Sequence, residues 1–171
     1  MIAGSPGGYA GVAMADTEID LAELEREEVE LQLDRLTNDD ALDLGLRLVD
    51  AARADGATVT ISVCRGEQRL FHHALAGTSA DNDRWIERKN RVVRRFGHSS
   101  LLMGLRAQSE GRDFAEQMLV DPREFAAHGG AFPLIVRGVG VVGTVTVSGL
   151  PQVDDHRLVV RVLREFLGSR S

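Results

Sequence analysis

The segment D-N-D-R-W-I-E-R-K-N-R-V-V-R-R-F, residues 81–96, sets a lysine inside an apolar stripe. Trp85, Val92 and Phe96 share one helical face at i, i+7 and i+11, and Lys89 lies between them at i+4. An ammonium there either snorkels past its neighbours to water or meets an acidic group in a site. Asn82 leads into the same face. Arg84, Arg88, Arg91, Arg94 and Arg95 surround the stripe, and such a cluster could meet a carboxylate ligand or an acidic surface of another copy. Further along, His128-Gly129-Gly130 could approach a ligand closely, because successive glycines expose backbone N–H groups. Asp154, Asp155 and His156 could form a base with its orienting carboxylate, although acidic residues at a helix start have a structural reason of their own. Five histidines without H-x-x-x-H or C-x-x-C spacing argue against a preformed zinc site, so no metal is expected. There is no phosphate loop and no G-x-S-x-G; G-V-G-V-V-G has the glycine spacing of a dinucleotide fingerprint but lies in strands with no helix after it.

These residues need elements to hold them. Phe132–Val136 and Val141–Val147, split by Gly138-Val139-Gly140, read as an antiparallel hairpin. Gly143 leaves a bare backbone patch for a bulge or a close neighbour. Thr58–Cys64 alternates Val59, Ile61 and Val63 with Thr58, Thr60 and Ser62, and Gln68–Leu75 returns it as a second strand. A helix is expected from Thr17 to about Arg35, with Glu23, Glu25, Glu27, Glu28 and Glu30 on a solvated face or a subunit-docking one. Another opens at Asn38 as N-cap and closes near Gly56. Helices are also expected over 84–96 and 99–108, in one or two short pieces over 113–128 with Pro122 at a start, and after Asp154. Two hairpins divided by helices make an α+β layout with an antiparallel sheet.

At 171 residues, 43% hydrophobic and 27% charged, the chain suits one globular domain, placed at residues 17–171. Residues 1–16, rich in glycine, read as a disordered tail, or as an extension ahead of a start at Met14. The net charge of −6 does not favour nucleic acid or an anionic membrane. A lone Cys64 fits a reducing cytoplasm, and the N-terminus lacks the basic and apolar regions of a secretory signal.

Three motifs in order, D-N-D-R-W-I-E-R-K-N-R-V-V-R-R-F-x-H-S-S, H-G-G-A-F-P and G-x-V-x-V-S-G-L-P-Q-x-D-D-H, resemble the GlcG/HbpS-like haem-degrading-domain family, in its cytoplasmic branch. The likeness runs from about Leu36 to Leu167. It implies a profilin-like α/β/α domain, an antiparallel sheet of about five strands and a homo-oligomer. Four strands are evident from the residues, so the fifth must come from a segment that reads as loop or helix. The resemblance implies haem as a cofactor only by analogy, since no histidine here falls in a motif that maps to a haem ligand. Three functions compete. The first is a small-ligand-binding or sensing module, with an acidic or tetrapyrrole ligand near Asn82, Trp85, Lys89, His128, Gly129, Gly130, Asp155 and His156. The second is an oligomeric scaffold. The third is an enzyme using Lys89 or His156 as acid/base.

Overall fold

The computed structural model describes residues 19–170, so the expected N-terminal tail lies outside the described residues. The chain runs α1 (Leu21–Glu30), β1 (Gln32–Leu33), α2 (Asn38–Ala54), β2 (Thr60–Arg65), β3 (Gln68–Ala74), α3 (Ala80–Phe96), α4 (Ser100–Ser109), α5 (Phe114–Met118), β4 (Ala131–Val136), β5 (Gly140–Ser148) and α6 (Gln152–Gly168). The strands form one sheet in the order β1-β4-β5-β2-β3. All neighbours are antiparallel except β1, which pairs parallel to β4 through Gln32 with Ile135 and Leu33 with Val136.

The two hairpins form where the alternation places them. Val59, Ile61, Val63, Val145 and Val147 point to one face of the sheet, where they are fully buried with Phe132 and Leu134 against α2 and α6. Gly45 lets α2 settle on β3, since a Cβ there would stand 2.3 Å from the Phe71 ring. The opposite face carries Thr60, Ser62, Cys64, Thr144, Thr146 and Ser148, all buried as well. Helix α3 covers it, and Thr146 Oγ1 donates to Asn90 Oδ1 at 2.5 Å. With helices on both faces, the fold is the expected α+β sandwich with five strands. At Gly143 the close neighbour is the Cys64 carbonyl, 2.0 Å from where a Cβ would be.

Several expectations are corrected. The first helix ends at Glu30 rather than near Arg35, and Gln32–Leu33 becomes the fifth strand. Composition favoured helix throughout, but Leu33 is 1% exposed only because the chain straightens and pairs with β4; tertiary pairing outweighs propensity. Glu27 and Glu28 are not on a solvated face. Both are buried: Glu27 meets His156 Nε2 at 2.9 Å, and Glu28 meets His98 Nδ1 at 2.6 Å and accepts from Ser99 N at 2.7 Å. Helix α2 is capped by Thr37 rather than Asn38, in a reciprocal pair with Asp40. Of the one or two short helices expected between Asp113 and His128, one forms, Phe114–Met118. Leu119 ends it in the left-handed region at φ 53°, and Pro122 opens a turn instead of a helix.

Candidate functional site

Helix α3 is capped by Ser79, whose backbone N–H donates to Asn82 Oδ1 at 2.9 Å. That contact fixes the side chain of Asn82, whose Nδ2 donates to the Ser148 carbonyl at the end of β5. One turn on, Trp85 is half-buried and borders the same opening as Ser148, Gly149 and Leu150, where β5 passes toward α6. One further turn on, Lys89 is 3% exposed. Its ammonium donates to Asp155 Oδ2 at 3.1 Å and to the Val147 carbonyl at 3.2 Å. Asp155 also accepts from the N–H groups of Gly149 and Leu150 at 3.3 and 3.0 Å. Lys89 thus takes the partnered of its two expected states, and the carboxylate it meets ties three segments together.

Burial sets the electrostatics of the pair. Desolvation holds Lys89 below the ordinary lysine range, and the Asp155 charge offsets this only in part. Desolvation likewise raises Asp155, against the pull of Lys89 and of the Leu150 and Gly149 N–H groups. His128, from the loop before β4, meets Trp85 edge-on with ring centres 5.2 Å apart. Partial burial, with the nearby charges of Lys89 and Arg88, holds its imidazole below the usual 6.5. The residues Asn82, Trp85, Lys89, His128 and Asp155, with Gln152, border an open cavity of about 280 Å³.

Five of the eight residues expected at the site therefore converge. The other three serve elsewhere. Gly129 and Gly130 are packing residues: a Cβ on Gly129 would stand 2.0 Å from the Gln152 carbonyl oxygen, and one on Gly130 2.3 Å from that of Val147 and 2.7 Å from Lys89 Nζ. The Gly129 N–H is already taken by Gln152 Oε1 at 3.1 Å. His156 lies outside the cavity, 1% exposed and paired to Glu27. Consecutive helical residues point about 100° apart, so Asp155 reaches the cavity while its neighbour faces α1. A base formed by His156 with Asp154 or Asp155, which the sequence allowed, is not made: His156 Nε2 meets Glu27 and its Nδ1 has no partner. Ser148, Gly149, Leu150 and Gln152 also line the cavity; S-G-L-P-Q lies within the third motif, but its residue types mark a strand exit and name no site.

The cavity can hold a small polar molecule between an aromatic wall, a neutral imidazole, a side-chain amide and a buried ion pair. It does not fit a tetrapyrrole within one chain. Its volume of about 280 Å³ falls just below the range of about 300–1,000 Å³ usual for ligand pockets. The lysine that would meet a propionate is already neutralised by Asp155. Among the described residues no cluster of three His, Cys, Asp or Glu side chains is arranged to hold a metal ion.

Comparison with known proteins follows the same lines. A UPF0303 protein of Streptomyces coelicolor is 54% identical over 157 residues, covering 92% of this chain and 99% of the relative. The crystal structure of Ybr137w superposes with a TM-score of 0.83 at 34% identity, covering 90% of each chain. PduOC, solved as a complex with heme, has a TM-score of 0.64 at 14% identity over 75% of this chain and 93% of its own, a likeness of fold alone. The model of the family described as haem degrading protein HbpS-like matches residues 36–164. The three sequence motifs, the five-stranded sandwich and these matches agree: the chain belongs to the HbpS-like haem-degrading protein family.

Proposed function

We propose that the protein is a small-ligand-binding or sensing module, and that its ligand sits in the cavity between α3, His128 and the start of α6. The observation that carries this reading is the convergence of Trp85, Lys89, His128 and Asp155 from three distant stretches on one opening. The ligand is smaller than a haem and offers hydrogen-bond partners to Asn82, Gln152 and the neutral imidazole of His128. Haem gives the family its description, and PduOC was solved in complex with it; in this chain a tetrapyrrole would have to lie outside the single-chain cavity, against a surface completed by a second copy.

A second reading, the homo-oligomeric scaffold, is favoured by one fact. Protein groups alone give Lys89 two acceptors and Asp155 three donors, as a purely structural pair would have. Fluorescence separates the two, because Trp85 is the only tryptophan of the chain. A panel of small hydroxy acids, amides and haem is titrated while Trp85 emission and the Soret region are followed. The binding reading expects a saturable emission change with one of the small molecules, lost in His128→Ala with the fold intact. No response to any of them, with light scattering showing a stable oligomer, leaves the scaffold.

A further inference from the structure

A second cavity opens on the other side of His128. It has a volume of about 440 Å³ and lies between α3, α4, α5 and the 122–128 segment. Leu105, Phe114 and Phe125 give it apolar walls, while Arg88, Gln108, Arg112, Asp113, His128 and Gln152 supply the polar groups. Arg112 stands 4.0 Å from Glu110, and Asp113 caps α5 by accepting from the Glu116 N–H. Gly104 shapes the opening: a Cβ there would stand 2.1 Å from the Ala127 carbonyl oxygen, so any side chain would push the 126–128 segment away from α4.

Arg88 sets this cavity apart. Its Nη2 donates to the Pro122 carbonyl at 2.7 Å, and its Cζ stands 4.6 Å from the centre of the Trp85 ring. Its Nε is buried with no hydrogen-bond partner, and among the described residues no carboxylate pairs with the guanidinium. The contrast lies on the same helix, where Arg84 pairs with Glu87 and Arg91 with Glu124. A buried donor left unmade keeps its full desolvation cost, and a guanidinium is best satisfied by a carboxylate that accepts two parallel hydrogen bonds.

We propose that this cavity binds a monocarboxylate carrying a short hydrocarbon chain, its carboxylate on Arg88 and its chain along Leu105, Phe114 and Phe125. Arg112 is already beside Glu110, so Arg88 is the lining cation that no carboxylate among the described residues offsets, and it calls for one negative charge. The aromatic and aliphatic walls give a bare anion such as phosphate nothing to bury, and a neutral alcohol would leave Arg88 unpaired. The inference is independent of the ligand in the first cavity, since only His128 and Gln152 are shared.

Octanoate is the probe, and Trp85, stacked on Arg88, is the reporter. Octanoate is expected to change Trp85 emission saturably, with octanol and inorganic phosphate at matched ionic strength at least about tenfold weaker, the loss of one charge-assisted hydrogen bond or more. Arg88→Gln should weaken octanoate by a similar factor. Ala115→Phe, which fills the cavity from a half-buried position, should abolish the response while circular dichroism stays unchanged. Asn82→Ala, on the first cavity, tells which opening the octanoate enters. The proposal is overturned by no saturable response in the wild-type protein, by phosphate or octanol matching octanoate, or by a response that survives Ala115→Phe but is lost in Asn82→Ala.

Discussion

At the scale of single residues, the buried pair is where energy and site coincide. Lys89→Met removes one partner and leaves Asp155 buried with only two backbone donors, which should cost about 3–5 kcal/mol by the usual behaviour of broken buried pairs. The double variant Lys89→Met/Asp155→Leu should recover part of that loss, and urea melts of the three proteins check it. His128 gives a second readout. Because its folded value lies below 6.5, the folded protein binds fewer protons there than the unfolded chain. Stability therefore falls as the pH drops through 6.5 toward the lowered value, and is unaffected above 6.5. An NMR titration of the His128 ring should find its midpoint below 6.5, and higher in Lys89→Met, where one repelling charge is gone. The lysine was legible because a charge interrupts an apolar stripe. Its partner was not, since Asp155 lies 66 residues away and two acids at a helix start look sufficient as dipole partners. Arg88 was legible only as one of a basic cluster, because nothing in the spacing tells a paired arginine from an unpaired one.

At the scale of elements, α1 is the clearest departure from what composition implies. Glu27 and Glu28 reach opposite neighbours, His156 on α6 and His98 with Ser99 ahead of α4. Adjacent glutamates in an acidic run carry no mark that they are clasps, so only the packed structure reveals them. Glu28→Ala should leave the fully buried Ser99 N–H without an acceptor at a cost of about 1–3 kcal/mol, and hydrogen exchange should show α1 and the start of α4 losing protection together. At α2, burial alone would raise the Asp40 carboxyl, but hydrogen bonds from Arg170 and Thr37 hold it below its usual 3.8. Its stabilisation is present above pH 3.8 and disappears as the pH falls through the lowered value. The melting-temperature gap between wild type and Asp40→Asn should therefore be wide at neutral pH and narrow in acid. Strands were the most readable elements, because the Thr–Val alternation of β2 and β5 repeats with period two. The two-residue β1 has no such pattern to show.

At the scale of the whole molecule, the charges that looked available for assembly are largely spent inside the chain. Arg91 and Arg94 of α3 hold Glu124 and the Gly66 carbonyl, and Arg106 takes Glu25 of α1. Docking of the acidic helix of one copy on the basic helix of another has lost much of its motive. An oligomer of this chain should accordingly be little affected by high salt in light scattering, and dissociation on adding salt would restore the charge-based interface. A different consequence lies in the two faces of the sheet. One is aliphatic, while the other buries a field of hydroxyls, with Thr60 Oγ1 and Thr144 Oγ1 lacking partners. Unfolding exposes both at once, and their hydration has opposite thermal signs: apolar area raises the heat capacity by about 0.45 cal/K/mol/Å² and polar area lowers it by about 0.26. A sheet with hydroxyls on one side and valines on the other should therefore melt with a smaller heat-capacity increment than an all-aliphatic sandwich of the same length. In a calorimeter this appears as a small step between the folded and unfolded baselines, and the stability curve that follows is a broad, shallow dome.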